Sequence, residues 1–376
     1  MWRIYNPSGK KRVIVTKELP GVRWLEILSK SDCEIEVCTS THVLQSDQIL
    51  AAIGSHCDGV IGQLTEDWDD RLFAALNAAH GAVYSNYAAG FDNVDVHAAT
   101  RMKIPVGNTP GVLTEATAEM AVALTFAAAR RVGESERFLR AGLFEGWLPT
   151  LFVGELLQRK TLGIIGGGRI GHAYARMMVE GHKMNLLYYD PSPNRDLEEY
   201  IAAYGEFLRF QGQQPVSCKR TAQLEELLME ADCISIHTVL NQTTYHLIDA
   251  KRLSLMKENA ILINTSRGSV IDEAALVEHC RRHPGFRAGL DVFEDEPQLK
   301  TGLAELDNVV LVPHIGSATM WTRQGMAVLA ATNTAAMIMG YPVWESSDIS
   351  PFLSDDPPMA APSIVNAKEL GLPAYR

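Results

Sequence analysis

No apolar run in this chain approaches the ~18 residues that a membrane-spanning helix requires, so no membrane partner is expected. Cysteine is sparse: Cys33, Cys38, Cys57, Cys218, Cys233 and Cys280 are scattered and form no Cys-x-x-Cys pair. That spacing argues against a disulfide framework or structural zinc and suits reduced thiols in a reducing compartment; no metal site is expected. Positive charge is in deficit, with 34 Lys and Arg against 45 Asp and Glu and a formal net charge of −11. A nucleic acid is therefore not expected as a partner, and any nucleotide bound here should be small and held by backbone groups. Internal repeats and low-complexity tracts are also missing. The opening MWRIYNPSGKKRVIV has neither a secretory apolar core nor a long Arg- and Ser-rich amphipathic segment.

What the chain does contain is enough apolar material, 47% of 376 residues, for two domains of ordinary size. Its organising stretch is TLGIIGGGRIG, a short apolar run that opens into Gly166-x-Gly168-x-x-Gly171. Each glycine answers a mechanical need. Gly166 permits a tight turn out of a strand, Gly168 lets backbone approach a pyrophosphate, and Gly171 allows a helix to pack closely on the strand. The helix start then offers free N–H groups and partial positive charge to phosphate. AYARMMVEG follows at helical spacing, and a second apolar run, MNLLYYD, ends at Asp190, about twenty residues beyond the last glycine. An acidic residue there can bind both ribose hydroxyls of NAD and oppose the 2′-phosphate of NADP, so NADH is the cofactor expected to be preferred.

Along the rest of the chain, strand-like and helix-like segments alternate. KRVIVT, CEIEVCT and CDGVIGQL read as strands, with DDRLFAALNAA helical after them, which is the pattern of a parallel α/β sheet. The loop SNYAAGFDNVD carries Ala88, Ala89 and Gly90, small residues whose N–H groups can form a nest for a carboxylate. Two prolines and two glycines in KIPVGNTPG mark a break before an Ala-rich helix beginning near Thr114, expected to be buried and to supply a dimer contact. LEEYIAAYGEFLRF reads as an inserted amphipathic helix. Four later strands end in His237-Thr238, Thr265-Ser266-Arg267, Asp291 and His314, which a doubly wound sheet would bring to one crevice. The tail from Tyr341 reads as irregular.

Arg267, Glu296 and His314 are the candidates for chemistry. Hydride transfer to a ketone builds negative charge on the carbonyl oxygen, which a cation must stabilise and an acid must protonate. Histidine titrates near neutrality, and a carboxylate on its other ring nitrogen fixes the ring and favours imidazolium. Arginine's planar fork can hold a substrate carboxylate and the reacting oxygen together.

GIIGGGRIG, INTSRGSVIDEAAL, AGLDVFEDEP and VPHIGSAT, in that order, resemble the D-isomer-specific 2-hydroxyacid dehydrogenase family over nearly the whole chain. Within that family YNPSGKKRVIVTKELPG, the insertion at 195–220 and the tail PSIVNAKELGLP are similar to the plant-type NADH-dependent hydroxypyruvate reductases. The resemblance implies a Rossmann-type NAD-binding domain, residues 111–316, inserted into a flavodoxin-like substrate domain made of 1–110 and 317–376. It implies reduction of hydroxypyruvate to D-glycerate, and of glyoxylate to glycolate, as in photorespiratory metabolism. Arg267 would bind and polarise a small 2-oxo acid, Glu296 would orient His314, and His314 would transfer the proton. Ala88, Ala89 and Gly90 would hold the substrate carboxylate. Arg169 and Ile170 would lie at the pyrophosphate, with further cofactor contacts from Thr238, Thr243, Thr265, Ser266, Asp291, His314 and Gly316. A homodimer is expected in which Trp147, in Trp147-Leu148-Pro149, reaches the partner's substrate pocket. Glu296 stands where formate dehydrogenases carry glutamine, which argues against that activity. Glyoxylate and 3-phosphohydroxypyruvate are the competing substrates, and an NAD-sensing co-repressor is the competing class. The plant enzymes end in a Ser-Lys-Leu-type signal; Ala-Tyr-Arg stands here instead, so mitochondrial or cytoplasmic residence is expected.

Overall fold

A computed structural model describes residues 1–375. The chain divides into two units, Met1–Leu113 together with the chain from Ser317 onward, and Thr114–Gly316. The first division falls three residues beyond the expected 110/111, because Val112 packs into the core of the first unit.

The first unit opens with β1 (Trp2–Tyr5), β2 (Lys11–Val15), β3 (Cys33–Cys38), β4 (Gly59–Gly62), β5 (Val83–Asn86) and β6 (Val106–Gly107). They form one sheet in the order β1-β3-β2-β4-β5-β6. Leaving β1 aside, the parallel strands follow the flavodoxin-like order, the topology that the motifs imply. β1 runs antiparallel to β3, pairing Trp2 with Cys38, and was not legible because its four residues bury no apolar face. Helices α1 (Arg23–Lys30), α2 (Ser46–Ile53), α3 (Asp70–Ala78) and α4 (Val96–Arg101) connect the strands. Asp69 and Asp95 start the last two by accepting the N–H groups of Leu72 and Ala98, caps worth about 1 kcal/mol each.

In the second unit α5 (Thr114–Ala129) and α6 (Val132–Arg140) precede β7 (Thr161–Ile165), α7 (Arg169–His182), β8 (Asn185–Tyr189) and α8 (Arg195–Phe210). Then come β9 (Cys218–Arg220), α9 (Leu224–Glu230), β10 (Cys233–Ile236), α10 (Ala250–Leu253), β11 (Ile261–Asn264), α11 (Glu273–Arg282), β12 (Arg287–Leu290) and β13 (Val309–Leu311). The seven strands are parallel in the order β13-β12-β11-β10-β7-β8-β9, a Rossmann-type doubly wound sheet with apolar clusters on both faces. The Ala-rich α5 is buried by its own unit, against β11, β12 and α7. It ends at Ala129, and Arg131 turns left-handed (φ 54°) before α6 begins. The expected helix in the insertion is α8, where Asn194 caps the start and Leu197, Ile201, Gly205 and Leu208 face inward at helical spacing.

The chain then re-enters the first unit through α12 (Met320–Ile338), packed against α1, β4 and β5. Its buried Asn333 donates to the Asn108 carbonyl and accepts from Ser363 N–H, each at 2.9 Å. Asn366 accepts from Val106 N–H at 2.9 Å and donates to Ile104 O, while Val365 N–H reaches Val106 O. The irregular tail thus completes the β6 edge. Among the described residues no helix is long and apolar enough to cross a membrane.

Candidate active site

β7 delivers the chain into Gly166, whose φ of 97° favours glycine and where a Cβ would lie 2.8 Å from the backbone of His237 and Thr238. Gly168 is the residue before α7, and a Cβ there would meet nothing within 4 Å. At Gly171 a Cβ would stand 2.1 Å from the Gly166 carbonyl, so only glycine lets α7 lie this close to its strand. Arg169 and Ile170 form the first turn, where N–H groups lack intrahelical partners. Asp190, after β8, accepts from Gly167 N–H and Ser192 N–H at 2.9 Å each. Arg220, which sequence reasoning passed over, donates to the Asp190 and Pro191 carbonyls, and Arg195 begins α8 nearby in sequence. Thr265 is buried, and its hydroxyl finds no hydrogen-bond partner among the described residues, while Ser266 donates its hydroxyl to Asn264. Open space at Gly168, free N–H groups at a helix start and an orphaned hydroxyl at a strand end fit a dinucleotide. Thr243 lies in an exposed turn, where its N–H and hydroxyl both bind the Asn241 side chain.

The three candidates for chemistry sit after three successive parallel strands. Arg267 follows β11, Glu296 lies in the loop after β12, and His314 follows β13. Glu296 Oε2 lies 2.9 Å from His314 Nδ1, and its Oε1 accepts from Phe293 N–H at 2.9 Å. Burial pushes the Glu296 carboxyl up, but His314, the Phe293 N–H and the Arg267 charge together hold it below its ordinary value. An ionised Glu296 accepting from Nδ1–H leaves the other nitrogen of the ring to exchange a proton. His314 itself is held left-handed (φ 51°). Asp291, buried at the end of β12, secures that turn: its carbonyl takes His314 N–H, and its carboxylate takes Ile315 and Gly316 N–H at 2.6 and 2.8 Å. Burial nonetheless raises the Asp291 carboxyl, against those two hydrogen bonds.

His237 stands at a strand end like the other polar candidates, yet it turns inward. Its Nε2 lies 2.8 Å from Ser235 Oγ, its Nδ1 is enclosed without a partner among the described residues, and burial lowers it to about 3. It is a neutral structural histidine.

In the first unit, the loop after β5 has its carbonyls spoken for. Thr109 N–H takes Ala88 O, Asn108 Nδ2 takes Ala89 O, and Asn86 Nδ2 takes Gly90 O. Among the described residues of the unit no backbone acceptor meets the N–H groups of Ala89 and Gly90. A loop with its acceptors occupied and its donors open suits a carboxylate.

Trp147 is 81% exposed, in a stretch that also exposes Leu139, Leu143, Phe144, Leu148, Val153 and Leu156. α6 buries none of its residues.

Residues 122–316 match the family model described as D-isomer specific 2-hydroxyacid dehydrogenase, NAD binding domain. The chain is 56% identical to the glycerate dehydrogenase HPR, peroxisomal, of Arabidopsis thaliana, over 99% of this chain and 98% of that one. It is 41% identical to the glyoxylate reductase of Thermococcus litoralis over 88% of this chain and 95% of that one. Among solved structures, a protein of Thermus thermophilus superposes with a TM-score of 0.78 at 36% identity, covering 94% of this chain and 99% of that one.

Proposed function

The chain belongs to the D-isomer-specific 2-hydroxyacid dehydrogenase family, and from that premise we propose that it reduces hydroxypyruvate to D-glycerate with NADH, and glyoxylate to glycolate as a second reaction. The Glu296–His314 pair carries the reading, because a dehydrogenase acting on a ketone needs an acid beside the hydride acceptor. Similarity to a glycerate dehydrogenase and to a glyoxylate reductase supports the two substrates.

A dinucleotide would be held by the Gly166–Gly171 turn and the first N–H groups of α7, with Arg169, Ile170, Thr238, Thr243, Thr265, Ser266 and Gly316 as its further contacts. Asp190 takes the adenosine ribose, so NADH is preferred. NADH supplies the hydride when bound. Ala89 and Gly90 present N–H groups to the substrate carboxylate, whereas Ala88, whose N–H is donated to Asn86 O, sets only the course of the loop. Arg267 faces the carbonyl oxygen and stabilises the charge that grows there. His314 protonates that oxygen, and Glu296 holds the ring in the tautomer and orientation that make this possible. Asp291, with its carbonyl and both carboxylate oxygens on the 314–316 turn, keeps the ring where the reaction needs it and has lone pairs left for the nicotinamide amide.

The protein is a homodimer, a reading supported by the run of exposed apolar side chains from Leu139 to Leu156, the kind of surface that marks an association site. Trp147 shapes the partner subunit's substrate pocket.

A turnover assay over a panel of 2-oxo acids, with NADH and with NADPH, tests the reading. Hydroxypyruvate with NADH should give the highest kcat/KM. Failure to turn over any 2-oxo acid, with NADH still binding, would point to an NAD-sensing protein instead.

A further inference from the structure

Residues 295–299 are exposed, with the Glu296 side chain tucked in to 29% exposure, so the course of this loop depends strongly on what grips its ends. One side chain grips both. Glu273, the first residue of α11 and 3% exposed, accepts from Glu294 N–H through Oε2 at 2.8 Å. Its Oε1 accepts from Lys300 N–H at 2.9 Å. A single carboxylate therefore spans the mouth of the loop that carries the partner of His314.

The grip is reciprocated. Glu294 Oε2 accepts from the N–H of Glu273 at 3.3 Å, and its Oε1 lies 3.0 Å from His246 Nε2. Lys300 lies 3.6 Å from Glu294 and 2.6 Å from Asp295. Ser269 Oγ donates to the Glu294 carbonyl. Beside this, Gly268 presses against the Phe293 backbone so closely that a Cβ would stand 1.8 Å away. The segment after Arg267 and the segment before Glu296 are thus in direct backbone contact. Nothing in this cluster touches the reacting atoms, and a buried carboxylate with two N–H partners exceeds what a helix start needs, since Asp272 already caps α11 by accepting from Ala275 N–H.

We propose that Glu273 is a positioning residue for proton transfer, holding the 294–300 loop so that Glu296 meets His314. This rests on the proposed roles of Glu296 and His314. The groups that face Glu296 are His314, Arg267 and Asp291, so a slackened loop changes the distance from the carboxylate to each of them. Partners that orient a first-line group typically matter at the 10–100-fold level.

The test uses the full-length protein with NADH and hydroxypyruvate. Glu273→Gln keeps the size but replaces one acceptor with a donor that opposes a backbone N–H. It should lower kcat by about 10-fold or more, leave the NADH Kd unchanged, and move the alkaline limit of reduction to lower pH. Combined with Glu296→Gln it should add almost nothing, because both act through one contact. If Glu273→Gln does not fold, Glu273→Asp, which can reach only one end of the loop, is read in the same way. A variant with a normal pH profile, or whose loss adds in full to that of Glu296→Gln, would overturn the proposal. An unchanged pH profile in Glu296→Gln alone would instead overturn the pairing on which it rests.

Discussion

His314 occupies the left-handed region, uncommon for any residue but glycine, and it stays there because Asp291 takes three consecutive N–H groups. Removing the ring should cost the acid and little else. His314→Ala is expected to lose ~10²–10⁴-fold in kcat while NADH titration by fluorescence gives the parental Kd. Near-parental turnover would remove His314 from the mechanism. Glu296→Gln should be subtler. Glutamine keeps an acceptor for the ring N–H but not the charge that His314, the Phe293 N–H and Arg267 hold ionised on Glu296, so the acid form of the site loses its counter-ion. Reduction should then fail at a lower pH than in the parent, read from kcat against pH. Arg267, Glu296 and His314 could be picked out as candidates because each residue type suits a task and each lies in the stretch that follows a strand. The turn-holding work of Asp291 and Glu273 was not, since it consists of bonds to backbone N–H groups far away in the chain, which no spacing rule announces.

The glycine turn behaves as a unit with β7 and α7, and its three glycines should fail in different ways. Gly168→Ala puts a methyl into open space, so the melting temperature should stay near that of the parent while NADH binding weakens, as the methyl occupies room intended for phosphate. Gly171→Ala drives a methyl into the Gly166 carbonyl and should lower the melting temperature itself. Equal loss of stability in both would sink this division of labour. Elements with a clear period were legible from the residues, namely the apolar strands, α3 and α8, while α5 was legible from its Ala-rich composition alone. α12 went unread because it is buried around most of its circumference and so shows no amphipathic stripe. α1 went unread because it buries only Trp24 and Leu28. The Ala-rich composition of α5 foretold its burial, but it is the neighbouring sheet and α7 that cover it, and the exposed apolar surface lies in α6 and the loop beyond.

For the molecule as a whole, the exposed stretch around Trp147 is the surface that the proposed dimer would cover. Burying it would be favourable at ~25 cal/mol per Å² of apolar area. Light scattering should give twice the monomer mass, and Trp147→Ala should raise the KM for hydroxypyruvate without dissociating the dimer. Mixing Trp147→Ala with His314→Ala subunits then decides where Trp147 acts. If it serves the partner, each heterodimer holds one intact site beside one doubly defective site, and low-KM turnover, absent from both parents of the mixture, reappears. No recovery would place Trp147 in its own subunit's site.

The tail that closes the β6 edge has one more consequence, for the order in which the ribosome releases this chain. The first hundred or so residues emerge early, yet Asn333, Ser363 and Asn366, which satisfy the buried polar groups around Asn108, Val106 and Ile104, emerge only after the whole of the second unit. The whole of the second unit is synthesised in between and holds every strand of its own sheet. A chain released in this order should close its second unit before its first, since strands made early await bonds from Asn333, Ser363 and Asn366.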